Sequence, residues 1–280
     1  MLDGGFTCPN RDGKVGYGGC TFCHCESFNP DYCRRHRTIR EQIEAGKEFF
    51  RGKYPDMKYL AYFQSYSSTY ASIEVLRRRY EEALQVEDVV GLVIATRPDC
   101  IDESVMALLV SICDNGFTVV VELGCESFCD RTLERVNRGH TAQQSVDAIQ
   151  LCHEYGIPVT VHLMLGLPGE TEDDILGQAS LVNSLPITSL KLHQLQILRG
   201  TAMADEWNRS PEDFLHFNIE SYSRLVAEFV SRLRDDISIE RYASSSPREM
   251  LLSPRFGVKP SVVEARVKAL LACKSKLLAL

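Results

Sequence analysis

Strand-like and helical runs alternate along most of this 280-residue chain, and that alternation limits the fold more than any other feature. Strands are expected at 57–64, 89–96, 117–123, 159–165 and 187–195. Helical periodicity fills the intervals near 70–85, 102–115, 141–155 and 171–184. A further helix is expected over 38–51, with Ile39, Ile43 and Phe50 on one side. Several ends are marked by residue type. Asp102 can cap a helix that stops before Gly116, Thr141 and Gln144 are spaced as a capping box, and Gly156 with Pro158 ends the helix that follows. Strands separated by helices imply right-handed βαβ crossovers and a parallel sheet. Counting a short strand tail at the start of the chain gives six strands. Six βα units suit an open, partial (β/α)6 TIM-type barrel, and a doubly wound sheet is the alternative.

Parallel strands covered on both faces should be nearly all apolar. Here Glu122 interrupts Val119 to Leu123, His162 interrupts Val159 to Leu165, and Lys191 and His193 fall on one face of the last strand because strands alternate with period 2. An unpaired buried charge costs far more than packing returns, so these groups should line a wet lumen or pair with one another. In TIM-type barrels the chemistry lies at the C-terminal strand ends, where Gln64, Arg97, Glu122 and Gly166 are expected. Any one of them alone reads equally well as a hydrogen-bonded structural polar residue.

Cys8, Cys20 and Cys23 lie on a loop that also carries Gly13, Gly16, Gly18 and Gly19. Three thiolates can hold three corners of an iron–sulfur cubane, since such clusters are normally held by four cysteines. The fourth iron is then open to a substrate or cofactor, as a catalytic metal keeps an open position. The spacing between Cys20 and Cys23 is also zinc spacing, and Cys25, Cys33, His24 or His36 could complete a closed zinc site. The 11 cysteines are an odd count, which with the chain length and the lack of a signal peptide disfavours a disulfide framework. Cys25, Cys33, Cys100, Cys113, Cys152 and Cys273 read as small buried hydrophobes, and Cys125 and Cys129 as packed thiols near the strand ends.

With a distant first cysteine and an aromatic, Phe22, before the last, this loop resembles that of radical S-adenosylmethionine (SAM) enzymes. The long first gap is similar to that of the YhcC-like branch, which is related to the radical SAM domain of the Elongator catalytic subunit. The resemblance implies the (β/α)6 barrel, a [4Fe-4S] cluster on Cys8, Cys20 and Cys23, and S-adenosyl-L-methionine at the open iron. It places Phe22 near the adenine, Gln64 and Ser65 at the methionine amino group, and Arg138 at the SAM carboxylate. Glu122 to Ser127 resembles a segment with glutamine at the Glu126 position, a ribose contact. His162 occupies a place where relatives have an acid at the ribose, and Gly166 lies in the adenine-side motif Leu165 to Glu170. The implied reaction is reductive cleavage of SAM to a 5′-deoxyadenosyl radical that acts on a substrate, RNA or a small molecule. Lys191 and His193 are the catalytic candidates, Arg199 is a further substrate contact, and a one-electron donor such as flavodoxin or ferredoxin is the implied partner. A non-catalytic zinc- or Fe-S-binding module is the competing reading.

The net charge of −7 gives no basic footprint of a dedicated nucleic-acid binder. Arg34, Arg35, Arg37 and Arg40, and then Arg77, Arg78 and Arg79, read as solvated helix faces. No apolar run approaches the ~20 residues of a membrane span. Reduced thiols without an export signal point to the cytoplasm. Residues 1–200 are expected to form the core, entered partway through its first strand. Residues 201–280 form an α-rich extension on the barrel, with a helix starting at Ser210, a short strand at 237–242 and a closing helix over 259–280.

Overall fold

The computed structural model describes residues 1–24, 29–51 and 56–278, with side chains through Cys273 and excepting Arg51. Cys25, one of the expected fourth zinc ligands, lies outside the described residues, as do the last two residues of the expected closing helix. The alternation is present: α1 (Asp31–Arg35), α2 (Ile39–Arg51), β1 (Tyr59–Phe63), α3 (Ile73–Leu84), β2 (Val89–Thr96), α4 (Glu103–Asp114), β3 (Thr118–Glu126), α5 (Asp130–Arg135), α6 (Ala142–Glu154), β4 (Val159–Leu165), α7 (Glu172–Ser184) and β5 (Ser189–Gln194). Then follow β6 (Ile197–Leu198), α8 (Ala202–Arg209), α9 (Ile219–Ser231), β7 (Ser238–Arg241), β8 (Leu251–Ser253) and α10 (Pro260–Leu278). One sheet runs in the order β1-β2-β3-β4-β5-β7, and β6 pairs with β8 in a small antiparallel sheet.

The two edges differ from expectation. At the start of the chain only Leu2 bridges, in parallel, to Phe63, its N–H donating to Tyr62 O at 2.6 Å. The sixth strand comes from the extension instead. Helix α9 serves as the crossover that returns β7 parallel to β5, pairing Ser189 with Ser238 and Leu190 with Ile239. The helix expected from Ser210 is also displaced. Pro211–Asp213 makes only a 3-10 turn, and α9 begins after Asn218. Asn218 Oδ1 accepts from Ser221 N–H at 2.8 Å while Ser221 Oγ accepts from Asn218 N–H at 3.1 Å, a reciprocal cap stronger than proline at a first position. Asp102 caps α4 as expected, accepting from Val105 N–H at 2.9 Å.

The chain divides into two compact units. The first comprises 1–18, 25–124 and 144–159. Its buried strand residues Ala61, Phe63, Leu92, Ile94, Val119, Val121 and Leu123 alternate with residues of the opposite face, and helices α3 and α4 add Leu76, Tyr80, Met106 and Leu109 to the core. Phe63 meets Tyr80 edge-on at 5.3 Å, and Tyr80 OH donates to Ser68 O at 2.7 Å, tying the core to the loop after β1. Each such buried side chain contributes about 1.5–3 kcal/mol. The second unit comprises 19–24, 125–143 and 160–280. There Val161, Leu163, Leu165, Leu190 and Leu192 are buried, as are Ile175, Val182, Tyr222, Val226 and Phe229 of α7 and α9. A satellite cluster of Val136, Leu167, Leu195, Ile197, Met203, Ala204 and Phe214 completes it.

Candidate cofactor and active site

In the first unit the chain after Cys8 turns back sharply. Arg11 N–H and Asp12 N–H both donate to Cys8 O, at 2.8 and 3.2 Å, and Asp12 bridges antiparallel to Tyr17. Gly13 at the turn has φ 96°, a conformation that strains any residue with a Cβ, and so favours glycine. Thr7 O accepts from Ser67 N–H at 3.3 Å, which ties the cysteine to the loop after β1.

In the second unit Cys20 and Cys23 close a turn, with Cys23 N–H donating to Cys20 O at 2.9 Å. Thr21 is held on both sides, its N–H donating to Val136 O at 3.0 Å and its carbonyl accepting from Met203 N–H at 2.9 Å. Phe22 packs against the satellite cluster that contains Leu167 of the adenine-side motif. Asn137, with φ 51°, donates from Nδ2 to Gly19 O at 2.8 Å, a left-handed position that asparagine tolerates. Arg138, 7% exposed, donates from Nη1 to Cys20 Sγ at 3.4 Å and from Nε to His140 Nε2 at 3.0 Å. Its Nη2 lies 3.7 Å from Glu126 Oε1. The guanidinium assigned from sequence to a ligand carboxylate thus faces a cysteine sulfur and a protein carboxylate. Glu126 has φ 67°, an uncommon conformation for glutamate at a strand end.

In the first unit Gln64 and Ser65 follow the end of β1, but Glu122, expected at a strand end, lies in the middle of β3 because that strand runs on to Glu126. Gln64 Oε1 is buried and has no hydrogen-bond partner among the described residues. Ser65 Oγ donates to Asn29 Oδ1. Glu122, 2% exposed, accepts from Tyr62 OH at 2.5 Å. In the second unit the β4/β5 register pairs Thr160 with Ser189, His162 with Lys191 and Met164 with His193. The His162 and His193 rings stand 5.2 Å apart. Gly166 has φ 87°, and a Cβ there would come within 2.6 Å of the Phe217 ring, which covers the motif. Arg199 is not drawn to this row. It is exposed, its N–H donating to Met250 O at 2.9 Å and its Nε to Glu249 O at 3.3 Å.

Lys191, 7% exposed, finds its partner in Glu240 of β7, Nζ to Oε2 at 3.3 Å. The other carboxylate oxygen accepts from Thr160 Oγ1 at 3.1 Å and from Ser189 Oγ. Burial pulls the Glu240 carboxyl upward, but the Ser189 hydrogen bond and the Lys191 charge outweigh it and leave it below the usual carboxylate range. Glu240 is a site residue that the motifs do not mark. Its only sequence signal is its alternate position in a four-residue strand.

Glu170 is the buried acid of this unit. It is 4% exposed, accepts from Ser127 Oγ at 2.9 Å, and burial raises its carboxyl to about 7. The folded chain therefore keeps a proton that the unfolded chain releases near 4.5. Stability from this group is full below the lower value and is lost as pH rises through the higher one. The expected loss is roughly 3 kcal/mol. Urea unfolding of the wild type and Glu170→Gln across this range measures it, and an equal pH slope in both proteins rules it out.

No three His, Cys, Asp or Glu side chains among the described residues converge on one point as a single metal ion requires. The Cys33 thiol, an expected zinc ligand, donates to Met1 O at 3.6 Å. The residues present do fit the larger groups that the resemblance implies. A cysteine pair in a tight turn has a guanidinium on one sulfur, and Gln64 offers a buried, unused acceptor at a strand end.

The Radical SAM superfamily profile matches residues 8–181, and the Radical_SAM C-terminal domain profile matches 187–271. Protein YhcC of Escherichia coli (strain K12) is 39% identical over 254 residues, which cover 90% of this chain and 80% of that protein. A tRNA uridine(34) acetyltransferase of Dehalococcoides mccartyi is 34% identical over 121 residues, 42% of this chain and 26% of its own length. The solved structure of archaeal Methanocaldococcus infernus Elp3, lacking its N-terminus, matches with TM-score 0.66 at 20% identity, covering 82% of this chain and 58% of that one. That likeness fixes the fold as a partial TIM-type barrel and excludes the doubly wound alternative. Among the described residues no helix is long and apolar enough to cross a membrane. With a superfamily match over most of its length and a relative at 39% identity, the chain belongs to the radical SAM superfamily and is homologous to YhcC.

Proposed function

We propose that this chain is a radical SAM enzyme in which Cys8, Cys20 and Cys23 hold a [4Fe-4S] cluster. The observation that carries the reading is the buried Arg138 guanidinium donating to Cys20 Sγ at 3.4 Å, a cation placed on a sulfur that is negatively charged as a ligand. When bound, the cluster and SAM supply one-electron cleavage of a carbon–sulfur bond, giving methionine and a 5′-deoxyadenosyl radical. The protein supplies position and exclusion of competing reactions. Gln64 Oε1 would accept from the methionine amino group, with Ser65 next to it in the chain. Phe22 and Gly166 face the adenine side, with Glu122, Glu126 and His162 as the polar groups for the ribose. Arg138 would support the cluster through its bond to Cys20 Sγ and would hold, through Nη2, either Glu126 or an arriving carboxylate.

The substrate enters over Lys191 and His193, which act as its polar contacts and proton-transfer groups. RNA is the substrate class to test first, on the strength of the tRNA-acting relative, with small metabolites as the alternative. A flavodoxin or ferredoxin delivers the electron.

The test is anaerobic reconstitution with iron and sulfide, followed by dithionite and SAM. The expected result is about four iron per chain with labile sulfide, and deoxyadenosine as a product. Zinc in place of iron, with no SAM binding, favours the non-catalytic metal module. A loaded cluster that yields no deoxyadenosine ends the catalytic reading.

A further inference from the structure

Arg97 follows β2, in the first unit, on a loop hydrogen-bonded to the turn after β1. It is 2% exposed, and among the described residues its ionic partner is its near neighbour Asp99. Nε donates to Asp99 Oδ1 at 2.8 Å and Nη2 to Oδ2 at 2.9 Å, a bidentate grip that leaves the guanidinium little freedom. The third nitrogen, Nη1, is buried and has no hydrogen-bond partner among the described residues. Ser68 Oγ, on the neighbouring turn, is fully buried and in the same condition. Other hydroxyls nearby satisfy one another: Thr96 Oγ1 bonds Ser67 Oγ at 2.9 Å and Thr69 Oγ1 at 2.6 Å, and Thr69 Oγ1 donates to Cys100 O at 2.6 Å.

Hydrogen bonds connect this group to the cysteine loop. Arg97 N–H donates to Ser67 Oγ at 3.3 Å, and Ser67 N–H donates to Thr7 O, next to Cys8, also at 3.3 Å. The charges of Arg97 and Cys8 both act on the thiol of Cys100, which places all three within electrostatic reach of one another. Buried donors are almost always paired, and one held in a rigid, charged fork within electrostatic reach of Cys8 needs an acceptor that arrives later.

We propose that Arg97 is an anion-binding residue beside Cys8, whose Nη1–H groups hydrogen-bond to a negatively charged acceptor on the bound cofactors, either a cluster sulfur or a carboxylate. The inference rests on the cofactor reading above and deepens it. Asp99 fixes the fork, and the pair as a whole adds no net charge, so the effect comes from the directed donor. A donor to a cluster sulfur stabilises the more negative, reduced cluster and raises its potential. A donor to a carboxylate leaves that potential alone and strengthens SAM binding.

The experiment compares wild type, Arg97→Lys, and Arg97→Gln combined with Asp99→Asn, each reconstituted anaerobically with iron and sulfide. The double variant removes both charges together and leaves no lone buried carboxylate. The lysine variant keeps the charge but loses the third donor. Thermal melting and iron content are measured first, then the cluster potential without SAM by spectroscopic titration, then SAM affinity by equilibrium dialysis. A tenfold shift of the reduction equilibrium against the reduced form, 59 mV for one electron, identifies the acceptor as a cluster sulfur. An unchanged potential with at least tenfold weaker SAM binding identifies it as the carboxylate. Wild-type values of both quantities in both variants overturn the inference, even while the cofactor reading stands. A wild type that takes up no iron defeats the cofactor reading itself, and this inference with it.

Discussion

Cys23→Ala is expected to abolish iron binding and reduce SAM cleavage to the level of a protein-free control, while the fold survives. Cys23 is only partly buried, and its backbone, which carries the turn through the bond to Cys20 O, is unaffected by the change. Substitutions at such positions alter stability by about 0.5–1 kcal/mol. A cluster on two cysteines, by contrast, has lost one of three attachments and exposes a second iron to water and chelators. Iron per chain, the visible absorption of the reconstituted protein and deoxyadenosine formation should all collapse together, with the melting temperature within a few degrees of wild type. Cys20→Ala should give the same activity result with a larger stability loss, because it also strips Arg138 Nη1 of its sulfur partner. Full iron content and turnover in Cys23→Ala would falsify the assignment of this loop.

The parts of this fold that rest on local periodicity were legible in the chain. Strands β2, β4 and the helices between them repeat at periods set by backbone geometry, and Asp102 and Gly116 mark the ends of α4 by residue chemistry alone. What could not be read depends on partners distant in sequence. The short strand expected at 237–242 is present as β7, but its four residues do not tell where it pairs; it joins the main sheet because α9 delivers it to β5. The helix start at Ser210 was a local rule outcompeted by another, since the reciprocal cap at Asn218 and Ser221 satisfies donors that proline at a first position leaves open. The same division runs through the site. Cysteine spacing and the polar interruptions of the strands name Cys20, Glu122, His162 and Lys191, because an ionisable residue in a strand demands a reason. Their partners are silent in one dimension: Glu240 on Lys191, Tyr62 on Glu122 and Arg138 on Cys20 are brought together by register and loop closure.

Lys191→Met should separate function from stability at the second part of the site. The side chain is nearly buried, but its partner is not: Glu240 is 41% exposed and keeps Ser189 and Thr160 as donors when the ammonium is lost. An ion pair with one water-screened member is worth about 1 kcal/mol or less. Methionine retains most of the stem volume, so the packing loss is also small. A purely structural Lys191 therefore predicts a melting temperature only slightly below wild type and unchanged turnover. A Lys191 that contacts the substrate predicts something else. Deoxyadenosine formation stimulated by small RNA or by a metabolite extract should fall about 10²–10⁴-fold, the range for loss of a positioned proton-transfer group. Glu240→Gln is the companion variant. It keeps an acceptor for Ser189 and Thr160 but removes the charge that orients Lys191, so the stimulated rate should fall less than in Lys191→Met while the melting temperature drops below that of Lys191→Met, because a buried ammonium has lost its carboxylate. If Lys191→Met responds to every pool as the wild type does, the lysine belongs to the frame of the barrel and the substrate must be recognised elsewhere, with His193 the next group to replace.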